Sequence, residues 1–331
     1  MNIALLGSLR RLLICGIVFA ASAGTVRASF LPDGVDLWFS TSTPTLSFSK
    51  GIRLLGPGSV LSTNGDIVAT NKDLLAAFEP RGSRFVPAFL MDKGLDALAV
   101  TGSSRRKTIV FSVAKPFYSE AMDRVISDGD LIDNRGQIVA THQDLLAALE
   151  PKDASKNYGL DAAFIMSLNG PGGSEIWFST DRPFYSNALG RQISSGDVVS
   201  NRGELIASLQ DLIEPFAPKG KTETLGLDTF FATFDDKGQV ANFLFSTEKR
   251  FYSTALKRWV GSNDLLSSDG TIAMTQREII RNFGLSIPIC GNLELDAAVF
   301  NQPRGQERPV PEPATIALLG LGVLGLLRRP R

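Results

Sequence analysis

The chain has 331 residues, 44% of them hydrophobic, with 34 basic and 34 acidic side chains and a net charge of zero. That length and apolar content support a sizeable core and exclude wholesale disorder, and the charge balance argues against a nucleic-acid binder, which carries a basic excess. Two cysteines and a single histidine exclude a disulfide scaffold and a Cys/His zinc site.

The N-terminal segment 1–28 reads as a secretory signal peptide. Arg10 and Arg11 form its basic start, and Leu12 to Ala20 form an apolar run too short to span a membrane as a helix. Small residues follow, with cleavage after Ala23 or Ala28. The latter is the preferred site.

Residues 29–300 form a four-repeat domain. Trp38-Phe39-Ser40-Thr41 returns as Val110-Phe111-Ser112-Val113, Trp177-Phe178-Ser179-Thr180 and Leu244-Phe245-Ser246-Thr247, in steps of 72, 67 and 67 residues. Phe-Tyr-Ser occurs at 117–119, 184–186 and 251–253, and the first copy has diverged to Thr45-Leu46-Ser47. Leu-Asp pairs end at Asp96, Asp161, Asp228 and Asp296. The units are about 36–96, 97–161, 162–228 and 229–300. Agreement at this many fixed offsets marks one repeated supersecondary unit.

Each unit reads alike. A β-branched and aromatic strand, such as Leu227 to Phe234, turns at Asp235 to Gly238 and returns through Val240 to Thr247 as a hairpin. A loop of about 15 residues carrying Phe-Tyr-Ser follows, and then a short second hairpin. A short helix closes the unit. Thr70, Thr141, Ser208 and Thr275 stand three residues before Asp73, Asp144, Asp211 and Glu278, which predicts a capping box in all four copies. Pro80, Pro151 and Pro218 stop the first three helices and Gly284 the fourth.

The predicted fold is therefore all-β with short helices, arranged as a closed β-propeller of about four blades. The ends of the array complement each other. The last Leu-Asp strand, Leu293 to Phe300, lacks a following Phe-Ser strand, and the first Phe-Ser strand, Val35 to Thr41, lacks a preceding partner. Pairing them would remove two open edges. The alternative architecture is an open β-rich repeat array.

Candidate chemistry is sparse. Asp128, Asp130 and Asp133 place three carboxylates within six residues, the oxygen type calcium takes, but the EF-hand spacing is missing and local N–H groups are the simpler partners. No other cofactor is expected. Asp96, Asp161, Asp228 and Asp296 would lie at equivalent points around a ring, where structural ties outweigh cation binding. Tyr118, Tyr185 and Tyr252 are the candidate ligand-binding side chains, since an exposed phenol ring can stack on a sugar. Trp38 and Trp177 exchange with Val110 and Leu244, which points to core. His142 has Asn71, Leu209 and Gln276 in the other copies, so the repeat does not require imidazole. No Ser-His-Asp arrangement, nucleophile elbow or P-loop is visible. Cys290 is the one thiol beyond the signal peptide.

Residues 301–313 form a polar spacer ending in Val310-Pro311-Glu312-Pro313. An apolar stretch of 14 residues, Ala314 to Leu327, follows and ends in Arg328, Arg329, Pro330 and Arg331, so 314–331 reads as a short anchor with a basic, cytoplasm-facing end. This order resembles the PEP-CTERM sorting signal. The resemblance implies export through the inner membrane of a Gram-negative bacterium, transient anchoring by the tail, recognition of Pro311, Glu312 and Pro313 by an exosortase-type processing enzyme, and delivery to the cell surface or extracellular matrix. Exopolysaccharide is the expected partner there. A non-enzymatic, surface-sorted repeat protein of the biofilm matrix is the leading expectation. An exported polysaccharide hydrolase or lyase on the same scaffold is the alternative.

Overall fold

The structure, a computed structural model, describes residues 36–47, 53–82, 93–102, 107–170, 173–222, 224–235, 237–284 and 295–301, all within the compact unit Asp33–Arg331. The signal peptide, Cys290, the spacer and the sorting tail lie outside the described residues.

The chain builds an all-β architecture with few, short helices. Four four-stranded antiparallel sheets follow one another, three of them each made from one repeat period. Taking strands from first to fourth across each sheet, one comprises Leu98–Thr101, Thr108–Phe111, Leu131–Asp133 and Ile138–Ala140. The next comprises Ala162–Gly170, Gly173–Ser179, Val198–Ser200 and Leu205–Ala207. A third comprises Thr229–Phe234, Val240–Ser246, Leu265–Ser267 and Ile272–Met274. The remaining sheet joins the two ends of the repeat array. Its first strand is Leu295–Asn301, and Asp36–Thr41, Val60–Ser62 and Ile67–Ala69 complete it. Asp36 pairs with Asn301, Trp38 with Val299 and Ser40 with Ala297. The expected pairing of the last Leu-Asp strand with the first Phe-Ser strand is thus present. Each first strand also packs against the first strands of the two neighbouring sheets, in the cyclic order Leu98–Thr101, Ala162–Gly170, Thr229–Phe234, Leu295–Asn301 and back.

The helices knit successive sheets together. Asn71–Leu75, His142–Leu146, Leu209–Ile213 and Gln276–Ile279 are each followed by one turn of 3-10 helix. Thr70, Thr141 and Thr275 make the reciprocal capping box, with the acid at N3 accepting from the cap backbone N–H. Ser208 accepts from the Asp211 N–H without that return bond, so three copies carry the full box, not four. What stops the 3-10 turn is a left-handed residue: Glu79, Glu150, Ala217 and Gly284, with φ of 46°, 48°, 45° and 62°. Only the fourth copy places a glycine where that φ is unstrained. Pro80, Pro151 and Pro218 follow the left-handed residue and bridge to Ser119, Ser186 and Ser253 of the next unit.

The segment read as a loop is instead a two-stranded ribbon in every copy. Thr45–Ser47 pairs with Arg53–Leu55, Phe117–Ser119 with Arg124–Ile126, Phe184–Ser186 with Arg191–Ile193, and Phe251–Ser253 with Arg258–Val260. The serine of each ribbon fastens it to the 3-10 turn of the preceding unit. Ser119 Oγ donates to Phe78 O at 2.6 Å, Ser186 Oγ to Leu149 O at 2.5 Å and Ser253 Oγ to Phe216 O at 2.6 Å. The diverged first copy keeps the bond, across the ends of the array: Ser47 Oγ donates to Phe283 O at 3.1 Å. Asn282 Nδ2 donates to Thr63 O at 2.6 Å, and Phe39 meets Phe283 edge-on at 5.9 Å. The fourth unit therefore holds the first as each other unit holds its successor.

The core fills the spaces between neighbouring sheets. Phe78, Phe111, Leu98 and Ile132 pack with Trp38 and Val60 in one layer, Phe178, Val199 and Leu149 with Val110 in the next, and Phe216, Phe230 and Phe245 with Trp177 and Val198 in a third. Each fully buried large apolar side chain of this kind contributes about 1.5–3 kcal/mol. Trp38 and Trp177 are core residues, as expected, and their indole N–H groups donate to Asp36 and Glu175.

Candidate functional site

The Leu-Asp carboxylates stand at one end of the first strands. Asp96, Asp161 and Asp228 precede Leu98–Thr101, Ala162–Gly170 and Thr229–Phe234, and Asp296 lies at the start of Leu295–Asn301. Because these strands pack cyclically, neighbouring carboxyls act on one another's charge, Asp96 with Asp296 and Asp161, and Asp161 with Asp228. Asp128, Asp181 and Glu248 add to this network from neighbouring loops. Burial pushes the Asp96 carboxyl up to about 8, and the charges of Asp181, Asp296 and Asp128 act in the same direction. Burial also holds Asp161 well above the usual carboxylate range, reinforced by Asp228, Asp181, Glu248 and Asp96. Its Oδ2 is shut off from solvent and has no hydrogen-bond partner among the described residues. Asp181 is raised to about 6 by burial and by Asp128 and Glu248, against the opposing Arg182. Burial raises Glu248 as well, with Lys249 opposing.

Asp181 and Glu248 reach this cluster because glycine makes room. Gly159 and Gly226 have φ of +68° and +61°, and a Cβ on either would collide with the Asp181 or Glu248 carboxylate. The sequence pattern singled out the four repeated aspartates but missed these two acids. The signal was available: each immediately follows a Phe-Ser-Thr strand, while Gly-Leu-Asp recurs at 159–161 and 226–228.

Asp128, Asp130 and Asp133 turn to different partners. Asp130 accepts the Ser127 N–H and the His142 N–H, both at 3.0 Å, tying a turn to the first residue of the helix. Asp197 does the same for Ser194 and Leu209, and Asp264 for Gly261 and Gln276. Asp133 accepts the Arg135 and Gln137 N–H groups at 2.9 Å. Its repeat equivalent Ser200 accepts from the Arg202 N–H, so Asp133 fills a turn-closing role that serine also fills. Asp128 accepts from Asn157 and faces Arg182 at 3.6 Å. Among the described residues no group of three or more His, Cys, Asp or Glu side chains is placed to hold a metal ion.

His142 is structural in its contacts. Its Nε2 accepts the Tyr158 N–H at 2.8 Å and its ring stacks on Tyr158. Burial lowers its pKa, and the acceptor role requires the neutral ring.

The candidate tyrosines lie on the outward faces of three separate ribbons. Tyr118 is opposite Val125, Tyr185 opposite Gln192 and Tyr252 opposite Trp259. Tyr118 is engaged locally: its hydroxyl donates to Asp123, and the Arg81 guanidinium sits 4.0 Å from its ring centre. Tyr185 is 40% exposed. Tyr252 meets Trp259 edge-on at 5.7 Å, and Trp259 is 59% exposed. Trp259 is a surface residue that the sequence reading did not single out. The polar Gln192 at its repeat position was the available sign that this position faces solvent.

Sheets, ribbons and acid cluster together define an all-β protein of four internal repeats joined end to end. The tail carries a second identity: residues 309–331 match the model of the PEP-CTERM protein-sorting motif. This motif implies export, transient membrane anchoring and processing by an exosortase-type enzyme. A comparison with curated proteins returns no match. Among the described residues no helix is long and apolar enough to cross a membrane, and the apolar stretch 314–327 lies outside them.

Proposed function

We propose that this is a non-enzymatic surface protein that retains exopolysaccharide at the cell surface or in the extracellular matrix, and that its four sheets are the blades of a closed four-bladed propeller. The propeller reading is supported by the Asp36–Asn301 strand pairing, the Ser47 and Asn282 bonds across the ends of the array, and the cyclic packing of first strands. A closed ring leaves the outer ribbons and the loops to vary without loss of the core, the usual way such scaffolds carry binding sites.

The observation that carries the proposed function is the sorting motif at 309–331. Its parts have separable tasks. Pro311, Glu312 and Pro313 are the residues the processing enzyme reads. The apolar stretch holds the chain in the inner membrane, and the basic end at Arg328, Arg329 and Arg331 stays on the cytoplasmic side. Replacing Pro311, Glu312 and Pro313 with alanine is expected to leave the exported protein unprocessed and retained in the inner-membrane fraction. Mobility of the mature chain on gels of cell fractions reports it. Normal processing of that variant overturns the sorting account.

The acid cluster favours the enzymatic alternative to one extent: raised carboxyl groups are what general acid catalysis employs. Its repeated aspartates belong to the starts of the repeats' own first strands, where burial, reinforced by neighbouring carboxylates, accounts for the raised Asp96 and Asp161.

A further inference from the structure

We infer that the ribbon formed by Phe251–Ser253 and Arg258–Val260 is a platform for an anionic polysaccharide, with Trp259 stacking on a sugar ring and Lys219, Arg250 and Arg258 meeting its acid groups. The inference deepens the polysaccharide-binding reading and rests on it.

The first argument is exposure. Large apolar side chains on a surface are costly to keep wet and mark interaction sites when they cluster with suitable neighbours. Three of the exposed ones, Val125, Tyr185 and Trp259, sit on the outward faces of ribbons. The ribbon folds with Val125 or Gln192 at the position of Trp259, so the indole is not a folding requirement. Phe251 and Val260 are buried and anchor this ribbon from its inner face. Tyr252 and Arg250, whose guanidinium lies 5.3 Å from the indole centre, brace Trp259 and limit the entropy it would lose on binding.

The second argument is charge. Segments 217–221 and 249–260 contain Lys219, Lys221, Lys249, Arg250, Lys257 and Arg258 and no Asp or Glu. The Lys219 N–H donates to Tyr252 O at 2.9 Å, which brings the first segment beside the ribbon. The ribbon at Tyr118 differs: Glu120 and Asp123 lie within it, and Arg81 faces Glu120 at 3.9 Å. On this ribbon Lys249 lies near Glu248 and donates to Thr224 O, and Arg258 Nε donates to Trp259 O, but among the described residues Lys219, Arg250 and Arg258 form no salt bridge to a carboxylate.

An aromatic face with flanking cations fits a uronate-type polymer, whose pyranose faces are apolar and whose edges carry carboxylates. Nucleic acid is disfavoured by the overall charge balance, with the basic run confined to one ribbon. An anionic bilayer is disfavoured because a single indole is presented, not the apolar face of an amphipathic helix.

The test uses the full-length protein and immobilised polygalacturonate, with dextran, anionic vesicles and duplex DNA as competing surfaces. Trp259→Ala is expected to weaken retention on polygalacturonate by about tenfold or more. Arg250→Gln with Arg258→Gln should weaken it similarly and flatten its salt dependence. Val125→Ala should leave it unchanged, and all variants should melt like the parent. Equal binding to dextran, or tighter binding to vesicles or DNA, overturns the inference. Retention on polygalacturonate that Trp259→Ala does not alter overturns the platform and leaves the polysaccharide reading standing. Failure to bind any polysaccharide, including that of the producing organism, overturns both.

Discussion

Deleting Leu295–Asn301 from the full-length chain is expected to abolish cooperative unfolding of the repeats. The deletion removes the first strand of the sheet that joins the two ends of the array. It exposes the whole edge of Asp36–Thr41, from which Leu37, Trp38 and Phe39 reach the core. It also removes Leu295, Ala297 and Ala298, all buried, and the contact of Phe300 with Phe231 at 4.5 Å. Lost apolar burial and six unpaired residues amount to about 5 kcal/mol or more, a large part of the stability of an ordinary domain. A milder pair of variants asks the same question in a chain that still folds. Ala298→Pro breaks the ladder opposite Phe39, and Ala163→Pro breaks it opposite Phe178 in a sheet built from continuous chain. In a closed ring the two substitutions lower the melting temperature by comparable amounts. Unchanged melting after the deletion, or a negligible effect of Ala298→Pro beside a large one of Ala163→Pro, contradicts closure.

The acid cluster makes stability fall as pH rises. Asp96 has a carboxyl pKa of about 8 in the folded protein against an ordinary value of 3.8. The folded state therefore holds a proton that the unfolded state releases between these values. The stabilisation is fully present below about pH 4, declines between about pH 4 and 8, and is gone above. Asp181, raised to about 6, adds to the decline over the lower part of that window. Asp161 acts in the same direction. Asp96→Asn keeps a neutral, hydrogen-bonding side chain at every pH. It is expected to match the parent near pH 4.5 and to exceed it at pH 8.5 by roughly 3–5 kcal/mol, a melting-temperature gain of roughly 5–10 °C. Thermal melts at a series of pH values measure it. A variant less stable than the parent at pH 8.5 would show that Asp96 is ionised and paired there.

Much of this architecture was legible before the fold was known, because its signals are local. The capping Thr and its partner acid lie three residues apart, and the hairpin turns carry Asp-Gly chemistry. The unmatched Phe-Ser and Leu-Asp strands at the ends of the array announced their pairing. The ribbons were not legible. Their strands are three residues long, too short for alternation to register, and they are held by a serine hydroxyl bonded to a carbonyl 37–41 residues away. The acid cluster was half legible. Asp96, Asp161, Asp228 and Asp296 recur at fixed offsets, whereas Asp181 and Glu248 enter only because Gly159 and Gly226 leave space. The capping box at Ser208 is incomplete. The pattern specifies which groups are close, and Asp211 accepts from Ser208 Oγ just as Asp73 and Asp144 accept from Thr70 and Thr141, but the return bond from the cap backbone N–H is not made there.

The proposed role is that of an exported, sorted repeat scaffold that holds polysaccharide without cutting it. The most direct measurement is incubation of the full-length protein with the producing organism's own exopolysaccharide, followed by pull-down and analysis of soluble sugar products. Retention of the protein with no oligosaccharide released is the predicted result. Release of oligosaccharides, or protein left entirely in the supernatant, would contradict it.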